Sequence, residues 1–349
     1  MYLNEVLHSF GLEGSATPYG SGHINDTFRV ITKSGGFILQ RVNTNVFKNP
    51  AALMRNISLV SEYLRKLGRM TLTVVKTAGG GDYLEHESGF WRVFEFIKDS
   101  IFLDSVENRD DFIECGRAFG AFQRDLAGFD ASLLAETIPR FHDTPDRYAQ
   151  LKEAIRLDAR NRVKDVADEI NFALSRETYA ATLMNALNSG ELPLRVTHND
   201  TKLNNVLFSS ERKALCVVDL DTVMPGLSAA DFGDAIRFGA SIAKEDEQDL
   251  AKVEMSLELF EAFAEGYLSA CSLTEKEVEM LADGAVIITL ECGARFLTDY
   301  LNGDVYFKTE RGGHNLDRCR AQFKLAADME GKRADMEGIV KRFYNRPLA

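Results

Sequence analysis

Apolar positions follow a strand-like pattern in the first part of the chain and a helix-like pattern in the rest. Two β-rich runs, Thr27-Phe28-Arg29-Val30-Ile31-Thr32 and Phe37-Ile38-Leu39-Gln40-Arg41-Val42, flank Ser34-Gly35-Gly36, and this predicts a hairpin around a glycine turn. Residues 72–76 and 83–85 read as further strands, and 90–97 is apolar and aromatic, as a central strand would be. One helix interrupts them at 51–67, where Leu53, Ile57, Val60 and Leu64 recur on one face.

From about residue 110 the spacing turns helical. Residues 112–126 form one helix, and 166–187 hold one long helix or two short ones. Helices return from 231, most clearly over 246–270, 276–302 and 315–343. One stretch resists: 194–208 loses helical spacing and 214–220 reads as a strand. Strands first and helices after predict an α+β chain of two lobes, a small β-rich one over 1–97 and a larger, mostly helical one over 98–349. At 349 residues the chain suits two cores better than one.

The interruption contains the chemistry. It reads Arg195-Val196-Thr197-His198-Asn199-Asp200-Thr201-Lys202-Leu203-Asn204-Asn205, which matches H-x-D-x-x-x-x-N, the catalytic-loop pattern of protein kinases and their small-molecule relatives. Asp219 follows at the end of the apolar run Cys216-Val217-Val218, where such kinases keep a magnesium ligand. Phosphoryl transfer asks for positioning and charge stabilisation rather than covalent chemistry. Asp200 suits the base that accepts the attacking hydroxyl's proton, and Lys202 can reach the transferring phosphoryl group. Asn205 and Asp219 are hard oxygen ligands for Mg2+. His198 is expected to brace the loop.

A D-F-G sequence at Asp231-Phe232-Gly233-Asp234 imitates the protein-kinase metal motif but lies too far from Asn205. Ser228 and Asp231 instead fit a helix start, with Ser228 as its cap, and Asp231 and Asp234 are assigned structural roles. For ATP, the glycine-bearing turn with Gly20, Gly22 and Asn25 offers backbone amides to phosphates, and the backbone of Glu95 to Ile97 offers hydrogen bonds to adenine. The third strand, where kinases place a lysine, carries Gln40 followed by Arg41. Arg41 or Lys202 then takes the phosphate contact, or the nucleotide is held differently.

Composition narrows the partners. The net charge of -12, with no basic cluster, argues against nucleic acid. Five scattered cysteines without CxxC spacing argue against a zinc site or a disulfide framework. No apolar run approaches membrane length and residues 1–14 carry no leader pattern, so a soluble cytoplasmic protein is expected, with no protein partner implied.

Several segments together, YGSGHIN (19–25), ILQRVN (38–43), FHDTP (141–145), RVTHNDTKLNN (195–205), DLDTVMPG (219–226), DFGDAIRFGAS (231–241) and ECGARFLTDYLNGDVYF (291–307), resemble the bacterial N-acetylhexosamine 1-kinases, within the aminoglycoside phosphotransferase and choline kinase superfamily. The resemblance runs from about residue 19 to about 329. It implies transfer from ATP to the anomeric hydroxyl of N-acetylglucosamine or N-acetylgalactosamine. It also nominates His23, Asp221, Arg295 and Tyr306 for the sugar, each able to serve a polyol as donor, acceptor or stacking ring. Two rival readings share the catalytic loop. One is a kinase of another small alcohol: an aminoglycoside, choline, homoserine or a different sugar. The other is a nucleotide-binding pseudokinase, to which Gln40 lends support. A choline cage would need several aromatic rings, and Trp91 is the one tryptophan.

Overall fold

The structure, a computed structural model, describes residues 2–20 and 24–345. The N-terminal part runs α1 (Tyr2–Ser9), β1 (Gly14–Pro18), β2 (Asp26–Thr32), β3 (Gly36–Val42), α2 (Pro50–Lys66), β4 (Leu84–His86) and β5 (Gly89–Glu95). Its antiparallel strands form one sheet in the order β1-β2-β3-β5-β4. The expected hairpin is present, with Val30 opposite Phe37. The Thr32 hydroxyl closes its turn by accepting the Ser34 and Gly35 amides, both at 3.1 Å. In α2 the Asn49 side chain caps the Ala52 amide at 3.0 Å, Pro50 opens the first turn, and Leu53, Ile57, Val60 and Leu64 are buried.

Strand alternation gives this sheet two different faces. Val30, Leu39, Trp91 and Val93 point outward beneath α1, where they pack with Val6, Leu7, Phe10 and Leu12. Thr27, Ile38, Gln40, Arg92 and Phe94 point the other way, into a cleft. Residues 72–76 run beside β5 without forming a full strand: the Val75 amide donates to the Val93 carbonyl at 2.9 Å, and the Glu95 amide to the Thr73 carbonyl at 3.0 Å.

The C-terminal part is mostly helical. It begins with β6 (Ser100–Ile101), α3 (Arg109–Asp125), α4 (Thr144–Leu157), α5 (Ala167–Leu174), α6 (Glu177–Ala180) and α7 (Thr182–Asn188). Then come β7 (Arg195–Thr197), β8 (Val206–Ser209), β9 (Ala214–Val217) and β10 (Met224–Gly226). The chain closes with α8 (Ser228–Gly239), α9 (Leu257–Ala270), α10 (Glu275–Glu279), α11 (Leu281–Asn302), α12 (His314–Gly331) and α13 (Arg333–Tyr344). Strands β7 and β10 form one small sheet, and β6, β8 and β9 another. This is the two-lobed, kinase-like α+β architecture that the strand and helix patterns predict.

Several boundaries differ from expectation. The region 166–187 contains three short helices, not one or two. The expected helix at 246–270 starts only at Leu257, because residues before it bend through a 3-10 turn and an isolated bridge between Ser241 and Met255. The helices at 276–302 and 315–343 each break in two, at Met280 and Lys332. Ser228 does not cap α8; its hydroxyl donates instead to Glu277 Oε1 at 2.9 Å. The five cysteines are free thiols. Among the described residues, no helix is long and apolar enough to cross a membrane.

The axis of the larger lobe is α11, buried continuously from Leu281 to Ala294. Helix α8 lies against it at glycine contact distance. A Cβ at Gly233 would sit 2.3 Å from the Gly284 carbonyl oxygen, and one at Gly284 would sit 2.1 Å from that of Ala229. The glycine of the D-F-G sequence is therefore a helix-packing residue. Because the obstruction is backbone, Gly284→Val must force the two helices apart. We expect it to lower unfolding free energy in urea by about 3 kcal/mol, the upper end for overpacking, whereas a loss below about 1 kcal/mol would mean the crossing yields easily.

Candidate active site

Helix α8 builds the site by gripping the loop after β7. Asp231 accepts the backbone amides of His198 at 2.8 Å and Asn199 at 2.7 Å, and Asp234 accepts that of Thr201 at 3.0 Å. Burial pushes the Asp231 carboxyl up to about 7, against the opposing pull of those two amides. Arg237 neutralises Asp234 through its Nε at 3.0 Å and Nη2 at 2.9 Å. From the other side, the Thr222 hydroxyl donates to the His198 carbonyl at 2.7 Å, and Asn199, in the left-handed region with φ 62, donates its side-chain amide to the Thr222 carbonyl at 2.9 Å. His198 Nε2 lies 2.9 Å from the Val218 carbonyl, and its ring packs edge-on against Phe119 and Phe122. Burial holds its pKa below the ordinary histidine value, so the neutral ring donates to that carbonyl.

So clamped, the loop presents Asp200, Lys202 and Asn205 together. Lys202 Nζ is 2.6 Å from Asp200 Oδ1. The Asn205 amide nitrogen donates to Asp200 Oδ2 at 2.9 Å and to its carbonyl at 2.8 Å. Burial alone would raise the Asp200 carboxyl, but Lys202, followed by His198 and Asn205, holds it below the usual range. The same pairing outweighs burial at Lys202 and holds its ammonium above its ordinary value. The Asp200 side chain keeps 29% of its surface open, enough to meet an acceptor.

Asp219 leaves β9 in the left-handed conformation, with φ 56. Burial first, then the neighbouring Asp221 and Asp200 charges, push its carboxyl up to about 7. Among the described residues nothing donates a hydrogen bond to it. Asn205 turns its amide nitrogen to Asp200, which leaves its Oδ1 uncommitted. Two hard oxygens thus face a site short of positive charge. No group of three or more His, Cys, Asp or Glu able to hold a metal exists among the described residues. A cation here would complete its shell with substrate oxygens and water, as Mg2+ commonly does.

A cleft of about 510 Å³ separates the sheet from this loop. Ile38, Leu72, Phe94, Leu207 and Leu220 give it apolar walls, Glu95 to Ile97 edge it, and Asn205, Asp219 and Asp221 line it near the catalytic loop. The Phe96 amide is taken by the Gly36 carbonyl at 3.0 Å, but no described residue takes the Ile97 amide. Gly20 lines the cleft, while Gly22 and His23 lie outside the described residues.

The other expected contacts distribute unevenly. Asn25 spans two anchors, donating to Asp221 Oδ2 at 2.7 Å and accepting the Asn43 amide at 3.0 Å. Gln40 faces the cleft. Arg41 does not: alternation puts it on the outer face, over the Trp91 ring and paired with Asp26. Asp221 is tied up as well, by Asn25 and by Arg92, whose Nη1 lies 2.6 Å from Oδ1. Sequence reasoning missed Arg92. Its signal was a lone arginine among the apolar residues of β5, directly opposite Gln40 in the register.

Arg295 and Tyr306 share a ring neighbour, Phe307. The Arg295 guanidinium sits between the rings of Phe141 and Phe307, 5.0 and 5.5 Å from their centroids. Tyr306 is 59% exposed and stands edge-on to Phe307. Asp299 fixes this segment by accepting the amides of Val305, Tyr306 and Phe307 at 2.9, 2.8 and 3.0 Å. One turn before Arg295, Glu291 pairs with His142 at 2.9 Å, and His142 reaches the Asn199 carbonyl at 3.3 Å. Burial would lower the His142 pKa, but Glu291 more than offsets it and the net shift is upward. A hydrogen-bonded bridge therefore joins this wall to the residue before Asp200.

Comparison with known proteins bears on both fold and family. A family model described as phosphotransferase enzyme family matches residues 15–267, well over half of the chain. Among solved structures, an aminoglycoside phosphotransferase from Alicyclobacillus acidocaldarius superposes with TM-score 0.63 at 12% identity, covering 97% of this chain and 96% of its own. Amicoumacin kinase in complex with AMP-PNP and Ca2+ gives TM-score 0.62 at 13% identity, covering 88% and 87%. A microcompartment-associated aminopropanol kinase gives 0.60 at 18% identity, covering 96% and 98%.

The Asp231 clamp makes a graded prediction. Asp231→Ala orphans two buried amides, and each should cost about 1–3 kcal/mol in urea unfolding. Asp231→Asn keeps one acceptor oxygen and should lose roughly half as much. Equal losses for the two variants would show that the amides find other partners.

Proposed function

The chain belongs to the phosphotransferase enzyme family, and on that premise we propose that it moves the γ-phosphoryl group of Mg·ATP onto the anomeric hydroxyl of N-acetylglucosamine or N-acetylgalactosamine. The observation that carries the transfer step is the Asp200–Lys202–Asn205 cluster: an ionised carboxylate, open on one side, with a cation 2.6 Å away. Asp200 accepts a hydrogen bond from the sugar hydroxyl and takes its proton as the new O–P bond forms and the bond to ADP breaks. An anomeric hydroxyl is more acidic than an ordinary alcohol, so a carboxylate kept at low pKa suffices as base. Lys202 offsets charge on the transferring group.

Asn205 Oδ1 and the Asp219 carboxylate would hold Mg2+. When bound, it draws charge from the phosphate oxygens. The adenine would lie between the apolar walls of the cleft, with the Ile97 amide and the Glu95 backbone at its edge. On the acceptor side, the polar tip of Tyr306, the guanidinium of Arg295 and the aromatic faces around it suit a neutral polyol carrying an acetamido group. Two arginines near this wall, Arg295 and Arg147, disfavour a cationic acceptor. The rival in which the acceptor is an amino alcohol or aminoglycoside draws on the similarity to an aminopropanol kinase and an aminoglycoside phosphotransferase and on the acidic balance of the chain.

A coupled ADP-release assay with Mg·ATP separates these readings. The acceptors are N-acetylglucosamine, N-acetylgalactosamine, glucose, galactose, choline and kanamycin, with the phosphate position read by ³¹P NMR. We expect turnover with the N-acetylhexosamines and a 1-phosphate product. Turnover confined to choline or kanamycin would discard the sugar, and no ATP consumption with any acceptor would favour a nucleotide-binding module. With the best acceptor, Asp200→Asn should cut kcat by at least ~10² while ATP still binds, and Asp219→Asn should weaken Mg·ATP binding and turnover together. Near-normal turnover by Asp200→Asn would remove it as the base.

A further inference from the structure

The cation expected on the third strand is missing there, and the structure supplies another. We propose that Arg92, on β5, is the residue that holds the nucleotide's phosphates from the sheet side of the cleft; the proposal rests on the nucleotide reading above. Gln40 and Arg92 face each other directly in the β3–β5 register, and both point into the cleft. The side chain has moved one strand over without leaving the cleft-facing surface. A lysine at position 40 would oppose Arg92 across the strand pair and be repelled. A glutamine can bind it instead: Gln40 Oε1 accepts from Arg92 Nε at 3.0 Å, an orientation required because arginine only donates, and Gln40 Nε2 donates to the Thr27 hydroxyl at 3.1 Å.

Counting N–H groups shows what remains free. A guanidinium has five. Nε is given to Gln40, and Nη1 faces the Met54 sulfur at 4.0 Å and Asp221 Oδ1 at 2.6 Å. The Asp221 contact lies off the N–H direction and is chiefly ionic, so Oδ1 gains no directed hydrogen bond from it. No described residue accepts from Nη2. The guanidinium, 1% exposed, is therefore anchored through Nε and Nη1 and keeps its Nη2 N–H groups uncommitted, with Asp219 and Asn205 lining the same cleft. A guanidinium can bind Gln40 and Asp221 through two of its nitrogens and offer the third to a phosphate, with the three directions fixed by its plane. The other cations do not compete for this place. Arg41 is on the outer face, and Lys202 is committed to Asp200.

Calorimetric titration of the full-length protein with adenosine and with Mg·ADP tests this, because adenosine shares the base and sugar but has no phosphate. For Arg92→Gln we expect Mg·ADP affinity to fall about 10- to 100-fold, the scale of one charge-assisted contact, while adenosine affinity stays within about twofold. Since this variant leaves Asp221 without its partner, Arg92→Gln/Asp221→Asn removes both charges and should show the same selective loss. Moving the cation back, in Gln40→Lys/Arg92→Gln, should restore at least part of the Mg·ADP affinity. Equal weakening of adenosine and Mg·ADP would mean that Arg92 only braces the fold, and an unchanged Mg·ADP affinity would mean that the phosphates do not touch it; either overturns the proposal. Wild-type protein that binds neither ligand overturns the nucleotide reading itself, and the proposal with it.

Discussion

A single buried carboxylate, that of Asp231, decides where the catalytic loop sits. The loop has little regular structure of its own, and its amides at His198 and Asn199 point inward, away from water. Unpaired, they would disfavour this path strongly. Asp231 gathers both from a helix whose position is fixed by a glycine crossing with α11. The geometry at Asp200 therefore follows from helix packing: α11 places α8, α8 places Asp231, and Asp231 places the loop.

Charge is arranged around that loop in opposing pairs with two exceptions. Asp200 has Lys202, Asp221 has Arg92, Asp234 has Arg237, and Glu291 has His142. Asp231 is answered by backbone amides in place of a cation, and Asp219, among the described residues, has neither a cation within ion-pair distance nor a hydrogen-bond donor. Its carboxylate and the uncommitted Asn205 Oδ1 line the same cleft in a local deficit of positive charge. The raised pKa of Asp219 expresses the same deficit.

Much of this was legible before the structure. The hairpin, α2 and the change from strands to helices followed from periodicity, and the motif spacing singled out Asp200, Lys202 and Asn205, which the structure brings together. What was missed has physical reasons. Helix α1 carries a short apolar stripe, Leu3, Val6 and Leu7, but over only eight residues, and β1, Gly-Ser-Ala-Thr-Pro, is poor in strand-forming residues. Helix α4 did announce itself, through Asp143 and Pro145 at its start, but its weak amphipathicity hid it. Long helical patterns were joined across Met280 and Lys332 because apolar spacing continues through a break that only backbone geometry reveals. Arg92 was invisible because its meaning comes from two partners, one across the register and one in the other lobe. Asp221, which the resemblance nominates for the sugar, has its oxygens facing Asn25 and Arg92, contacts that no local pattern announces.

The outer face of the sheet has a further consequence. The single tryptophan of the chain is sealed there between β5 and α1, its Nε1 donating to the Ser88 hydroxyl at 3.0 Å, with Tyr2 and Phe28 as ring neighbours. All of its surroundings belong to the smaller lobe. Its intrinsic fluorescence is thus a built-in optical gauge of that lobe alone, blind to the helical lobe, and comparing it with helical circular dichroism during denaturation reveals whether the two halves melt as one body or in sequence.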